Sequence, residues 1–377
     1  MIFVILILYI LLVNYLCRCI APHKKLLYCI LVACAFILIS GLRSKFIGVD
    51  TISYVKTFLK SSPFTWAQFL NTIKKPEFLF YTYRMLVRTV TEHYTLFLFP
   101  IAVWYVSCVT FFIYKYSSYP MISYLLFLSM GYFFLSMAGL RQIIGMAFLL
   151  LALDKLIQKK HLLCLLLIVI ASCFQITSLA FLVIYLINLL PLNKWYLIGI
   201  GALTGASYIL GAGALLQVVN MVWGNTRGYV KIEYGGISTY ILLILISICV
   251  LVFYPHILSP KRSDLLLVPG GYIKHCREKK PILELKGFIT DQLFFKMLLF
   301  SIPIQLLAIY QANVFRIAMM YHIAVLALIP NTISRQKDRA TIILTMIVIT
   351  VLLMIQFFVF TYGAKTINPF HFFWETP

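Results

Sequence analysis

Apolar residues in this chain gather into long runs, and the polar positions fall almost entirely between them. A helix that crosses about 30 Å of hydrocarbon needs roughly 20 apolar residues. Runs approaching that length recur at about 1–17, 26–41, 95–114, 120–138, 141–154, 162–174, 176–190, 195–212, 237–254, 289–309, 313–330 and 341–360. The pattern predicts an all-α polytopic integral membrane protein with about twelve transmembrane helices,.

Basic residues orient those runs. Arg18, Lys24 and Lys25; Lys115; Lys155, Lys159 and Lys160; Lys194; the segment from Lys261 to Lys286; and Arg335, Lys337 and Arg339 occupy alternate loops. The positive-inside rule makes those loops cytoplasmic and puts both termini outside. Met121–Leu153 and Leu162–Leu190 are short for this scheme, about thirty residues each, yet each must cross twice if Lys115, Lys155 to Lys160 and Lys194 are all inside. The turns therefore fall near Arg141 and Gln175, sunk below the outer surface, with short or broken helices around them.

The chain 1–377 reads as a single transmembrane domain with two larger non-spanning regions. Residues 42–94 form a periplasmic loop with two amphipathic helices, Thr51–Lys60 and Glu77–Val90, lying along the outer interface,. Pro76 is expected to open the second at its first position. Residues 255–287 form a basic cytoplasmic loop that anchors topology or touches anionic lipid,. Met1–Leu16 has neither a basic leader nor a small-residue cleavage site, and is expected to be a retained first helix,.

Composition agrees: 62% of residues are hydrophobic, 16% aromatic and 11% charged, so the solvent is a bilayer,. The net charge of +21 belongs to short loops, which argues for membrane lipids and against nucleic acid as a partner,. The nine cysteines form no CxxC pair and read as small buried hydrophobes,. No His/Cys/Asp cluster has metal-ligand spacing, so neither a metal nor another cofactor is expected,.

Few polar groups remain on the outer side. Arg43 ends the second run, where it either snorkels to headgroups or binds an anion. Arg141 and Arg316 have apolar sequence on both sides and no acid close in the chain, which marks them as functional,. Guanidinium forks match phosphate oxygens and stay charged, so a phosphate or diphosphate suits these arginines better than a carboxylate substrate. Asp50, at the start of a helix, either caps it or serves as a general base or sugar ligand. Glu77, just after Pro76, has the same two readings. His322 lies off the helical face of Arg316 and reads as a packed histidine.

With these residues placed, the chain resembles the EpsG-like branch of Wzy-type polymerases, which assemble O-antigens and exopolysaccharides. The resemblance is carried by GLRSKFIGVDTISY, which contains Arg43, Asp50 and Tyr54; by Lys75-Pro76-Glu77-Phe78; by Arg141 after a small-residue turn; by FQITSL from Phe174; by NVFRIAMMY from Asn313; and by Pro369-Phe370. It implies a GT-C-like glycosyltransferase architecture. It also implies an inverting polymerase of undecaprenyl-diphosphate-linked repeat units at the periplasmic face, with a chain-length regulator as a candidate protein partner. Candidate catalytic residues are Asp50, Glu77, Arg141 and Arg316. Candidate substrate and diphosphate ligands are Arg43, Tyr54, Arg141, Gln175, Asn313 and Arg316. Gln175 stands where the family often carries histidine in a Phe-His-x-Ser/Thr pattern, and glutamine can hold an oxygen but cannot act as a base. The rival readings are a lipid-linked oligosaccharide flippase and an O-antigen ligase. A membrane acyltransferase would need an intramembrane histidine paired with an acid or asparagine, which the sequence does not offer.

Overall fold

A backbone surrounded by lipid must satisfy its own amides and carbonyls, and this chain does so with helices. The computed structural model describes residues 2–20, 25–223, 236–258, 279–309, 312–336, 338–363, 367 and 369–375, and the regular structure among them is helical. Five helical segments are long and apolar enough to cross a membrane: Tyr94–Tyr116, Gly236–Phe253, Gly287–Ala308, Val314–Ser334 and Ala340–Val359. A sixth is the pair Pro120–Ser129 and Tyr132–Ala138, bent by 49°. The protein is therefore an all-helical, multi-pass membrane protein. Other expected runs form shorter apolar helices, including Lys25–Gly41 and His161–Phe174. Leu140–Ile157 has 18 residues but carries Arg141, Asp154 and Lys155.

The chain divides into two compact units, one made of Met1–Leu182 with Leu353–Pro377 and the other of Val183–Leu352. The first begins with α1 (Ile2–Ile20) and α2 (Lys25–Gly41), followed by the loop helices α3 (Thr51–Leu59), α4 (Trp66–Thr72) and α5 (Phe78–Val90). It continues through α6 (Tyr94–Tyr116), α7 (Pro120–Ser129), α8 (Tyr132–Ala138), α9 (Leu140–Ile157) and α10 (His161–Phe174) into a 3-10 helix, Ile176–Val183. In this unit α2 and α9 pack on α6, and α10 packs along α9. Gly145 lets the 3-10 helix approach α9 closely, because a Cβ there would lie 2.8 Å from Ser178 Oγ.

The break between α7 and α8 comes from Gly131, whose φ of 80° belongs to the left-handed region and stops one helix where the next begins,. Phe36, Phe127 and Phe133 fill the space beside it, with ring centroids 4.6 to 5.9 Å apart,. The sequence expects one run over 120–138; the structure divides it.

Charged residues sort to opposite ends of the first unit. At one end, the Lys25 ammonium donates to the Ser117 carbonyl at 2.5 Å, and Lys115 pairs with Asp154. The Asp154 carboxylate is 1% exposed and also accepts from Tyr116 Oη at 2.7 Å, Lys155 at 3.2 Å and Gln158 at 2.6 Å. At the other end of α9, about 20 Å from Asp154 at 1.5 Å per residue, stand Arg141 and the loop helices. That Lys115 and Lys155 share one end is what two intervening crossings require.

Three details of the loop differ from the expectation. An additional helix, α4, none of whose residues is buried, lies between the two anticipated ones. Pro76 precedes the cap of α5 instead of opening it: the cap is Glu77, in the left-handed conformation at φ 60°. Arg43 is 1% exposed and does not snorkel.

The second unit holds α11 (Ile184–Leu189), α12 (Lys194–Trp223), α13 (Gly236–Phe253), α14 (Lys279–Ala308), α15 (Ala312–His322) and α16 (Val325–Ser334). Helix α17 (Arg339–Gly363) begins there and ends in the first unit. Helix α14 is central, packing against α11, α12, α13, α15 and α16. It starts at Lys279, so part of the expected 255–287 loop is helical; the stretch 259–278 lies outside the described residues. Inside this unit Lys296 donates to the Asn188 and Leu190 carbonyls at 3.1 and 2.9 Å, neutralising the end of α11,. Buried Asp291 accepts from Asn331 at 2.7 Å and Arg335 at 3.3 Å.

Two substitutions test these supports. Asp154→Ala should destabilise the protein by roughly 2–3 kcal/mol, because four donors lose a buried acceptor although Lys115 and Lys155 still reach water. Heating the detergent-solubilised protein and measuring the soluble fraction should give the order wild type, Asp154→Asn, Asp154→Ala. Gly48→Ala should lower the folded yield severely, since Gly48 has φ +96° and a Cβ there would sit 1.9 Å from the Met137 carbonyl oxygen,; wild-type yield on size exclusion would contradict this.

Candidate functional site

The turn between α8 and α9 is built from carbonyls that helix ends leave unpaired. The Met137 carbonyl accepts from Thr51 Oγ1 at 2.7 Å and from Arg43 Nη2 at 3.4 Å. Arg43 Nη1 donates to the Ser40 carbonyl at the end of α2. Arg43 thus joins the end of α2 to the end of α8, and its guanidinium is engaged with backbone. Its own backbone pairs with Phe372, flanked by Ser44 N–H to the His371 carbonyl at 2.9 Å and Phe373 N–H to the Leu42 carbonyl at 2.9 Å. The Pro369-Phe370 segment is held there, the Phe370 ring 5.9 Å from Phe3. Two of the motifs that carried the resemblance are therefore spatial neighbours.

Past this turn Arg141 occupies the first turn of α9, and α5 brings an acid to it. Arg141 Nη1 donates to Glu77 Oε2 at 2.5 Å. The other carboxylate oxygen, Oε1, accepts from the Ile176 backbone N–H at 3.0 Å. One carboxylate thereby joins the start of α5, the start of α9 and the start of the 3-10 helix, where N–H groups are exposed and negative charge is favoured. The Glu77 side chain is 11% exposed and that of Arg141 34%, so the pair sits at an edge that solvent and solutes can reach.

Aromatic rings surround the guanidinium. Its carbon lies 5.7 Å from the centroid of Tyr54 and 5.5 Å from that of Phe80, within cation–π range,. Tyr54 is presented by α3 and Phe80 by α5, their rings 5.6 Å apart. Gln175 ends α10 in an extended conformation and is buried. Immediately after it, Thr177 Oγ1 and Ser178 Oγ are buried without a hydrogen-bond partner among the described residues. Asp50 takes the cap position of α3, but its side chain makes no capping hydrogen bond.

Of the residues expected from sequence, Arg141 contacts both Tyr54 and Glu77, and Gln175 immediately precedes Ile176, whose amide donates to Glu77. Arg43 lies at the same end of the first unit, facing carbonyls. Arg316 belongs to the second unit, half-buried on α15. The side chain of Asn313 lies outside the described residues. His322 is completely buried. Among the described residues no three His, Cys, Asp or Glu side chains cluster as a metal site would require.

Sequence reasoning found no acid near Arg141, because Glu77 is 64 residues away in the chain. The only local signal was that Glu77 and Arg141 both sit at expected turns on the same side. Arg84 was missed altogether. It lies seven residues after Glu77, two turns along the same helix face, with its guanidinium carbon 5.2 Å from the Tyr81 ring,.

Chemically, the cluster offers a guanidinium fork, a carboxylate, phenols and buried hydroxyls at the rim of a membrane domain. That combination suits an anion attached to a hydroxyl-rich group. No curated protein and no solved structure matches the chain. The sequence model of the EpsG family matches residues 26–372, nearly the whole length. The chain belongs to the EpsG family, a family of Wzy-like polymerases.

Proposed function

We propose that this protein joins undecaprenyl-diphosphate-linked oligosaccharide repeat units into an O-antigen or exopolysaccharide. The reaction takes place at the periplasmic face of the bacterial inner membrane. The observation that carries the reading is the Arg141–Glu77 pair, closed onto the Ile176 amide within a chain of the EpsG family. An enzyme that expels a lipid diphosphate needs fixed positive charge where the leaving oxygen becomes negative, and a carboxylate close by to take a proton.

In this mechanism Arg141 holds the donor diphosphate. Either Glu77 or Asp50 accepts the proton of an acceptor sugar hydroxyl. That oxygen attacks the anomeric carbon, the carbon–oxygen bond to the diphosphate breaks, and the electron pair leaves with the lipid diphosphate. In-line displacement inverts the anomeric carbon. Tyr54 and Gln175 contact the sugar or phosphate oxygens. Arg43 acts as a positioning residue through the α8–α9 turn, since its guanidinium is already engaged with Ser40 and Met137. The fold around the site has about twelve crossings of GT-C-like architecture, with both termini periplasmic.

Two experiments test this. In a strain lacking the native gene, Arg141→Ala and Arg141→Lys should both lose the long rungs of the polysaccharide ladder and leave single repeat units displayed outside, because an ammonium cannot replace a planar fork. Long chains from well-expressed Arg141→Ala protein would overturn the proposal. Alkaline phosphatase fused to either terminus should be active, and fused after Lys115 or Lys159 inactive; activity at a basic loop would invert the orientation.

A further inference from the structure

Charge balance along one face of α5 leaves one cation unaccounted for. Glu77, Tyr81, Arg84 and Arg88 recur at the spacing that aligns side chains on a helix,. Arg88 pairs with Glu92 at 2.8 Å, and Arg141, reaching in from α9, pairs with Glu77. Between those two pairs Arg84 forms no ion pair among the described residues, and its Nε is buried without a hydrogen-bond partner. It is half-buried over Tyr81, and the Lys75 ammonium lies 6.0 Å from the same ring.

Such a position is unfavourable without a counter-anion. Burial, and beyond it the nearby Arg141 cation, push the Arg84 guanidinium below its ordinary value, while Tyr81 opposes them. Arg84 without a carboxylate and Arg141 with only Glu77 become a favourable arrangement once a doubly phosphorylated anion lies across both,. A free phosphate would satisfy one fork; a diphosphate spans two.

We propose that Arg84 is the second guanidinium of the lipid-diphosphate site, binding one phosphate of the donor while Arg141 binds the other. The inference rests on the lipid-diphosphate reading given above. It adds a ligand that faces the substrate from α5, a loop helix that the Glu77–Arg141 pair already joins to α9. The charges facing Arg84 are then Arg141, Lys75 and Glu77, and the anion supplies the missing negative charge.

The test uses the purified full-length chain in detergent micelles, with geranylgeranyl diphosphate and geranylgeranyl monophosphate as probes, titrated calorimetrically. Wild type should prefer the diphosphate. Arg84→Ala should weaken diphosphate binding by about tenfold or more, the loss of a charge-assisted contact, with little effect on the monophosphate, so that the preference disappears. Arg84→Lys, which keeps the charge but not the fork, should fall between, and gives a readout if the alanine variant folds poorly. Arg88→Ala, whose partner is Glu92, should bind as wild type. Unchanged diphosphate affinity in Arg84→Ala would overturn the proposal, as would an equal loss for both probes, which would mean a general charge effect. If wild type binds neither probe, the lipid-diphosphate reading itself fails.

Discussion

A helix that breaks inside hydrocarbon exposes amides and carbonyls that no water can satisfy, and each one costs several kcal/mol unless a side chain meets it. In this protein several buried charged or hydroxylic residues meet one. Arg43 and Thr51 close the carbonyls at the ends of α2 and α8. Lys296 closes those at the end of α11. Glu77 closes the amide that opens the 3-10 helix. The short, broken helices exist because these side chains allow them to, and the polar groups that could do chemistry are drawn from the same set.

That shared origin separates the arginines by role. A guanidinium turned to backbone carbonyls, as in Arg43, holds architecture and has little left for a ligand. A guanidinium paired with a carboxylate, as in Arg141, keeps a partner that an incoming anion can compete with. Arg84 has neither kind of partner among the described residues. The sequence of states from Arg43 to Arg141 to Arg84 therefore runs from structural to available, and availability increases toward the loop helices. Glu77 links the two regimes, because the carboxylate that restrains Arg141 also sets the start of the 3-10 helix.

Hydropathy made much of the fold legible. Helices α6, α9, α10 and α13 lie within about three residues of the apolar runs that predicted them,. The parity of basic loops placed turns near Arg141 and Gln175, where α9 begins and α10 ends. What was illegible is what depends on contacts between distant segments. The Glu77–Arg141 pair joins residues with no local relation, and α5 starts at Phe78, two residues after Pro76, with Glu77 left-handed as its cap. Helix α4 buries nothing, so it lacks the periodic core face that would have announced it,. Arg84 carries no local mark in the sequence; what distinguishes it is that Glu92 and Glu77 pair with its neighbours.

Gln175 makes sense in the same terms. As the site of a missing histidine it looks like a loss of function, yet the work at this position is done largely by the main chain. Its extended backbone ends α10 and leaves the Ile176 N–H directed at Glu77. Its Cβ lies 3.4 Å from where a Cβ on Gly145 would be, so a close helix approach surrounds it. A residue that ends a helix, fits against a glycine and aims the next amide at a carboxylate need not ionise. With proton transfer proposed for Glu77 or Asp50, a neutral side chain at 175 also adds no further charge beside the Glu77–Arg141 pair,.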